Sequence, residues 1–291
     1  MSPAGPGAAE APAKVNLYLK VVGRRPDGYH LLDSLAVFAD PADRLAAEPA
    51  DDLSLVVDGP FAGRAGPVES NLVLKAARLL REHARSGMGA RLRLTKLIPV
   101  EAGLGGGSSD AAAALRLLDA LWETGFDEAR LREMGARLGA DVPVCVAGRP
   151  TLMAGIGEAL TPAPALPPLA ILLVNPGVAT ATPAVFRAYA ALERGPAPPP
   201  LAGPIRDVEH LAEELRLRGN DLLPAACTVA PVVGEVVAEL ERLPGAVHAS
   251  MSGSGATGFA LFRDTAAART AAETLAERRP GWWSHAGAVR A

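Results

Sequence analysis

The stretch Ile98-Pro-Val-Glu-Ala-Gly-Leu-Gly-Gly-Gly-Ser-Ser-Asp110 constrains this chain more than any other. Gly103, Gly105, Gly106 and Gly107 have no Cβ, so the backbone there can take positive φ and come close to a ligand. Before it, Arg91 to Leu97 alternates as a strand does. After it, an alanine-rich run to Trp122 reads as a helix over 109–122, with Leu115, Leu118 and Trp122 on one face. Strand, glycine loop, helix is the order that turns a glycine cluster into a phosphate-binding expectation. The helix points its unpaired N–H groups and its positive dipole end at whatever the loop holds. Ser108, Ser109 and Asp110 suit the cap or first turn.

The loop is neither of the two commonest nucleotide signatures. No Gly-Lys-Ser/Thr comes after it, so the lysine of a Walker loop is missing. Gly103-x-Gly105-x-x-Ser108 lacks the third glycine of a dinucleotide fingerprint, and the region about 20 residues on is helix rather than an acidic strand end. The reactive groups must therefore come from elsewhere. Phosphoryl transfer to an alcohol needs a phosphate cradle, a divalent metal, a base for the hydroxyl and a cation near the transferring group. Lys14 and Asp141 are the candidates for cation and base, and Ser108 or Ser109 could reach the metal.

Each candidate has an ordinary reading as well. Val15, Leu17, Leu19 and Val21 alternate with Lys14, Asn16, Tyr18 and Lys20, the period of a half-buried strand over 13–22, so Lys14 and Asn16 could simply face solvent. Asp141 precedes a helix start at Pro143 and could be a plain N-cap, although Ala140, Val142 and Val144 give it an apolar surround. Pro26-Asp27-Gly28 is a turn that lifts out Tyr29 and His30, which either pack on the surface or stack on and hydrogen-bond a flat ring.

The chain has 291 residues, enough for two domains, with 49% hydrophobic and 21% charged residues. A net charge of −3 and 4% aromatics give no case for nucleic acid or an anionic membrane. Cys145 and Cys227 lack metal-ligand spacing and read as thiols in a reducing compartment. Residues 1–11 read as a loose tail without the features of a signal peptide, and no apolar run spans a bilayer, so a cytoplasmic protein is expected, a monomer or weak homodimer.

Further strand-like runs are Leu31 to Phe38, Arg44 to Ala47 and Leu53 to Asp58. Helices are expected from a Ser70-Asn71 cap to Arg85 and from an Asp127 cap, with Gly139 as C′ residue. A domain boundary is expected near Gly148-Arg-Pro150, giving domains 12–153 and 154–291. In the second half, Ala170 to Asn175 is a strand. Thr182-Pro183 starts a helix to Leu192 with Thr182 as cap, 195–204 is a proline-rich loop, and 207–218 and 229–243 are helices. Strands 246–251 and 257–262, helix 265–278 and strand 282–289 complete the chain. Strand, helices, strand, strand, helix, strand is the split βαβ, ferredoxin-like order. The fold class is α+β.

Three separated stretches, Pro12-Ala-Lys-Val-Asn16, Ile98 to Ala112 and Ser250-Met-Ser-Gly-Ser-Gly-Ala256, resemble the three signatures of the galactokinase, homoserine, mevalonate and phosphomevalonate kinase superfamily. Arg25-Pro-Asp-Gly-Tyr-His30, Gly139-Ala-Asp-Val-Pro143, Asn175-Pro-Gly-Val178 with Thr182-Pro183, and Gly219-Asn-Asp-Leu222 are similar to its branch acting on cytidine-diphosphate-linked methylerythritol. The resemblance implies a two-domain small-molecule kinase fold. Its N-terminal domain would be of the ribosomal-protein-S5 type and its C-terminal domain ferredoxin-like, with the active site in the cleft between them. It implies ATP and Mg²⁺, with Asp141 as general base assisted by Lys14. ATP would lie along Pro99, Val100, Glu101, Ala102, Gly103, Leu104, Gly105, Gly106, Gly107, Ser108 and Ser109. Asn16, Tyr29, His30, Thr182 and Phe186 would hold the small-molecule substrate, Tyr29 and Phe186 sandwiching cytosine and His30 meeting its edge. Residues 252–256 would form a second glycine-rich loop. A carboxylate beside triphosphate would repel it, so Glu101 is expected to face solvent.

Overall fold

The computed structural model describes residues 7–84, 87–190 and 198–290. The start of the expected tail, the end of the helix at Arg85, the helix end at Leu192 and the first residues of the 195–204 loop lie outside the described residues. The chain divides into two compact units. The first comprises Met1–Lys14, Pro41–Val100 and Gly105–Gly148, and the second Val15–Asp40, Glu101–Leu104 and Arg149–Ala291. The division falls within the first two strands, β1 (Ala8–Arg24) and β2 (His30–Ala50).

In the first unit, β3 (Leu53–Asp58), α1 (Leu72–Ala84) and β4 (Gly89–Thr95) make a parallel βαβ turn, with Leu53 opposite Ala90 and Asp58 opposite Thr95. β4 also runs antiparallel to Arg44–Ala50 of β2. Its alternation is real: Ala90, Leu92 and Leu94 are buried while Arg91 and Arg93 are exposed. α1 opens where Asn71 Oδ1 accepts from Val73 N at 2.9 Å, and it buries Val73, Leu74, Ala76, Ala77, Leu79 and Leu80. α2 (Gly106–Trp122) packs on α1 and on α4 (Val142–Ala147), and α3 (Glu128–Ala136) packs on α4. Leu45, Leu80, Leu92, Leu94, Leu115 and Leu118 form the core, each burial worth about 2 kcal/mol.

In the second unit, β5 (Thr151–Gly155) pairs with β6 (Ala159–Pro162) and with Leu32–Ala36 of β2. Then come β7 (Ala170–Asn175), α5 (Thr182–Tyr189), α6 (Val208–Arg218), α7 (Leu223–Val229), α8 (Val232–Glu241), β8 (His248–Met251), β9 (Gly258–Phe262), α9 (Thr265–Arg278) and β10 (Trp283–Arg290). The strand order is β10-β7-β9-β8, antiparallel throughout, which is the ferredoxin-like order expected. Leu172, Val174, Val236, Leu240, Phe262 and Leu275 seal α8 and α9 to this sheet. Among the described residues no helix is long and apolar enough to cross a membrane.

Several local expectations are corrected. Residues 8–11 are strand, not tail, because β1 pairs with β2. Runs 31–38 and 44–47 are one strand, β2, running through Pro41. On the side facing β10 and β4, that proline falls in the gap between the β10 partners at 38–39 and the β4 partners at 44–50. α2 starts at Gly106 rather than 109. α3 ends at Ala136 with Arg137 as its C-cap, so Gly139 is not the C′ residue. Ala181, not Thr182, caps α5. The helix expected over 229–243 is α8 alone, and α7 was not anticipated.

Candidate active site

Within the first unit, the glycine loop enters α2 through Gly105, the N-cap, at φ 60 and ψ 20. That left-handed conformation is one that glycine adopts without the steric cost of a Cβ. A Cβ on Gly105 would stand 3.1 Å from both Cβ and Cε of Lys14. The lysine stem therefore lies across the glycine, and Lys14 is 4% exposed. Its Nζ reaches Asp141 Oδ2 at 2.9 Å. An ammonium this buried needs a counter-charge close by, so the solvent-facing reading of Lys14 is excluded. Asp141 holds the N-cap position of α4, but its side chain makes no capping hydrogen bond. Its carboxylate is given to Lys14 and keeps 37% of its side-chain surface open.

Helix α4 is short, and its far end is held firmly. Arg116 Nη1, from α2, donates to Cys145 O at 2.7 Å and Val146 O at 3.0 Å, capping carbonyls at the end of α4. Ser109 Oγ donates to Pro12 O at 2.6 Å, tying α2 to β1 two residues before Lys14. Burial first, then the Asp141 charge, pushes the Cys145 thiol up to about 12, so it is no nucleophile. Pro99, Ala102, Leu104 and Ser109 are turned inward, while Val100, Gly103, Gly105, Gly106, Gly107 and Ser108 keep open surface. Glu101 is exposed, as expected, at φ 54.

Within the second unit, Gly103 packs on the 252–256 loop. A Cβ there would be 2.5 Å from Ser252 O and 2.7 Å from Gly255 O. Ser252 Oγ donates to Gly103 O at 2.8 Å and accepts from Asn16 N at 3.1 Å, and Thr257 N donates to Ala102 O at 3.1 Å. Asn16 is 3% exposed and its Nδ2 donates to Ser34 Oγ at 2.7 Å. Ser34 Oγ in turn donates to Tyr18 O at 2.6 Å. Asn220 Nδ2 donates to Met251 O and Gly253 O, at 2.8 and 2.9 Å, holding the loop from below. Thr182 Oγ lies 2.8 Å from Ser254 Oγ. The His30 ring stacks on Phe186, centroids 4.9 Å apart at 24°, and meets Tyr189 edge-on at 6.0 Å. Tyr29 is 61% exposed.

The structure thus pairs Lys14 with Asp141, Thr182 with Ser254 and His30 with Phe186, and it holds Asn16 by Ser34 and Ser252. Sequence reasoning gave no role to Ser34, Arg116, Asn220 or Ser254. Asn220 and Ser254 had a signal, their places in Gly219-Asn-Asp-Leu222 and in Ser250-Met-Ser-Gly-Ser-Gly-Ala256. It missed, too, the buried cluster of Asp43, Lys96 and Asp110. Among the described residues no group of three or more His, Cys, Asp or Glu side chains could hold a metal.

Two family models match the chain: the GHMP kinases N terminal domain over residues 71–149 and the GHMP kinases C terminal over 181–280. A 4-diphosphocytidyl-2-C-methyl-D-erythritol kinase of Paramagnetospirillum magneticum is 53% identical over 94% of this chain and 95% of its own length. One of Cereibacter sphaeroides is 51% identical over 94% and 96%. A crystal structure of a 4-(cytidine 5'-diphospho)-2C-methyl-D-erythritol kinase, 38% identical, superposes with a TM-score of 0.81 over 98% of this chain and 99% of that one.

Proposed function

The chain belongs to the GHMP kinase family, and from that premise we propose that it phosphorylates the 2-hydroxyl of 4-(cytidine 5'-diphospho)-2-C-methyl-D-erythritol with ATP, in the non-mevalonate route to isoprenoid precursors. The observation that carries the chemistry is the Lys14–Asp141 pair at 2.9 Å, beside the left-handed Gly105 that opens α2. The near-full-length relatives at about half identity support the choice of acceptor.

In this reading the N–H groups of Gly105, Gly106, Gly107 and Ser108 cradle the ATP phosphates at the positive end of α2. Asp141 accepts the proton of the substrate hydroxyl as its oxygen bonds to the γ-phosphorus and the bond to ADP breaks. The Lys14 ammonium holds that carboxylate in place and offsets charge on the transferring group. A magnesium ion would be held mostly by phosphates and water, and Ser109 is already engaged with Pro12. Ser108 would be its protein oxygen, and the ion would neutralise charge on the β- and γ-phosphates.

Acceptor recognition falls to the second unit. Tyr29 and Phe186 would enclose the cytosine, and because His30 already lies against Phe186, the base would take the other face of that ring. Thr182 and Asn16 would touch the substrate toward its reacting end. Residues 12–153 would form the ATP-binding domain and 154–291 the ferredoxin-like one. The enzyme would act in the cytoplasm as a monomer or weak homodimer, without nucleic acid or membrane, in keeping with a net charge of −3. A coupled ADP-release assay with this acceptor, homoserine and phosphomevalonate tests the reading. Turnover only with the cytidylyl substrate is expected; turnover on either of the others in its place overturns it.

A further inference from the structure

We propose that Lys96 is a positioning residue for ATP: its ammonium ties the strand exit that opens the glycine loop to the helix that closes it. The inference rests on the reading of that loop as the ATP cradle.

Asp43, Lys96 and Asp110 are 0%, 4% and 3% exposed, and they lie far apart in sequence. Lys96 Nζ donates to Asp43 Oδ2 and, at 2.6 Å, to Asp110 Oδ2. The other oxygen of Asp43 accepts from Leu97 N at 2.5 Å and Ile98 N at 2.9 Å, the residues with which the loop begins. Asp110 sits one turn into α2, just after the loop ends. A Cβ on Gly106 would meet Lys96 Nζ at 3.4 Å and Asp43 Oδ2 at 3.7 Å, so the cluster lies directly beneath the first residue of that helix. The lysine is itself anchored. Its N–H donates to Asp58 O at 2.8 Å, and Gly59 packs so closely on its backbone that a Cβ would stand 2.6 Å from Lys96 O.

Stability alone is a poor account of this arrangement. A buried ion pair commonly stabilises no more than apolar residues of the same volume, and here two carboxylates share one ammonium. What the cluster does supply is geometry. One cation, with charge-assisted bonds in two directions, sets the distance between the incoming strand and the N–H groups of α2. Burial works to lower the Lys96 pKa, but the pull of Asp110 and Asp43 outweighs it and raises the pKa, so the ammonium stays charged, while burial raises the Asp110 carboxyl to about 7.

Asp110→Ala is the first test, because it removes one arm of the strap and leaves Lys96 paired with Asp43. Three quantities are read: the Kd for ATP by calorimetry, the KM for the cytidylyl acceptor, and amide hydrogen exchange over residues 97–109. Loss of a hydrogen bond to a charged group corresponds to about tenfold weaker ATP binding. The acceptor KM should stay within about twofold, while exchange over 97–109 accelerates. Asp110→Asn, which keeps an acceptor of the same shape, should return ATP binding to within about threefold of the wild type; if the alanine variant does not fold, Asp110→Ser, whose shorter side chain no longer reaches the Lys96 ammonium, takes its place with the same expected loss on the same readouts. Unchanged ATP affinity, or a parallel loss for ATP and acceptor, overturns the proposal. If the wild type binds no ATP yet exchange over 97–109 still answers to Asp110→Ala, the cradle reading fails and the strap stands. If exchange does not answer, the strap falls.

Discussion

Alanine at Gly103 and alanine at Gly105 should damage this protein in different ways, although the two glycines are separated by one residue. Both have left-handed backbones, at φ 76 and φ 60, so each substitution costs about 1 kcal/mol in strain. The difference lies in what the new methyl meets. At Gly103 it would stand 2.5 Å from Ser252 O and 2.7 Å from Gly255 O, both main-chain atoms that cannot turn aside. Overpacking against backbone adds about 1–3 kcal/mol, for a total of roughly 3 kcal/mol, a large part of a typical folding free energy. At Gly105 the methyl would meet the Lys14 stem at 3.1 Å, and a side chain can shift by a few tenths of an ångström. Stability should then fall by only about 1–2 kcal/mol. The shift is taken from the 2.9 Å contact between Lys14 and Asp141, and misplacing a reacting group on that scale costs about 10- to 100-fold in turnover. Urea unfolding and ADP release, run on both variants, separate the outcomes. If Gly105→Ala unfolds as readily as Gly103→Ala, or turns over at the wild-type rate, the placement of Lys14 across Gly105 is wrong as an account of catalysis.

Asp141→Asn should lower kcat by about 10²- to 10⁴-fold while calorimetry shows ATP affinity nearly unchanged, since the base acts on the acceptor and not on the phosphates; near-normal turnover would remove Asp141 as base. Tyr29→Ala should raise KM for the cytidylyl acceptor much more than KM for ATP, and equal effects would count against stacking. His248 gives a pH signature. Burial, then the Arg216 charge, lowers its pKa from 6.5 to about 4. Above pH 6.5 it is neutral folded or unfolded and contributes nothing. Between pH 6.5 and 4 the unfolded chain takes a proton that the folded one refuses, so stability falls with pH, to a ceiling of roughly 3 kcal/mol. His248→Leu should flatten that part of the stability curve, and an unchanged slope between pH 6.5 and 4 would refute the assignment.

The parts of this molecule readable from sequence are those encoded within a few residues. The alternation of Ala90 to Leu94, the Asn71 and Asp127 caps, and the order of the strands from β7 to β10 all come from local pattern. The glycine loop was legible because strand, glycines and helix are contiguous. Runs 31–38 and 44–47 read as separate because Asp40 and Pro41 interrupt the strand pattern between them, and only the ladder partners on either side join them. Lys14 and Asp141 could not be joined by spacing. A half-buried alternating strand and an N-cap are their commonest local meanings, and only tertiary burial gives the ammonium its partner. Lys96 was harder still, as Asp43 and Asp110 are 53 and 14 residues away. Each looks like a turn or cap residue when taken singly.

The thiol of Cys145 gives the chain a built-in gauge of local opening. It is 2% exposed, one turn beyond Asp141, and its thiolate is suppressed near neutral pH. Cys227, on α7, is half-buried instead. An alkylating reagent should therefore mark Cys227 in the native state and reach Cys145 only when α4 comes away from α2. The lag between the two labels is a clock for how often the helix that Asp141 heads releases its hold, and it can be read on the unmodified enzyme without substrate.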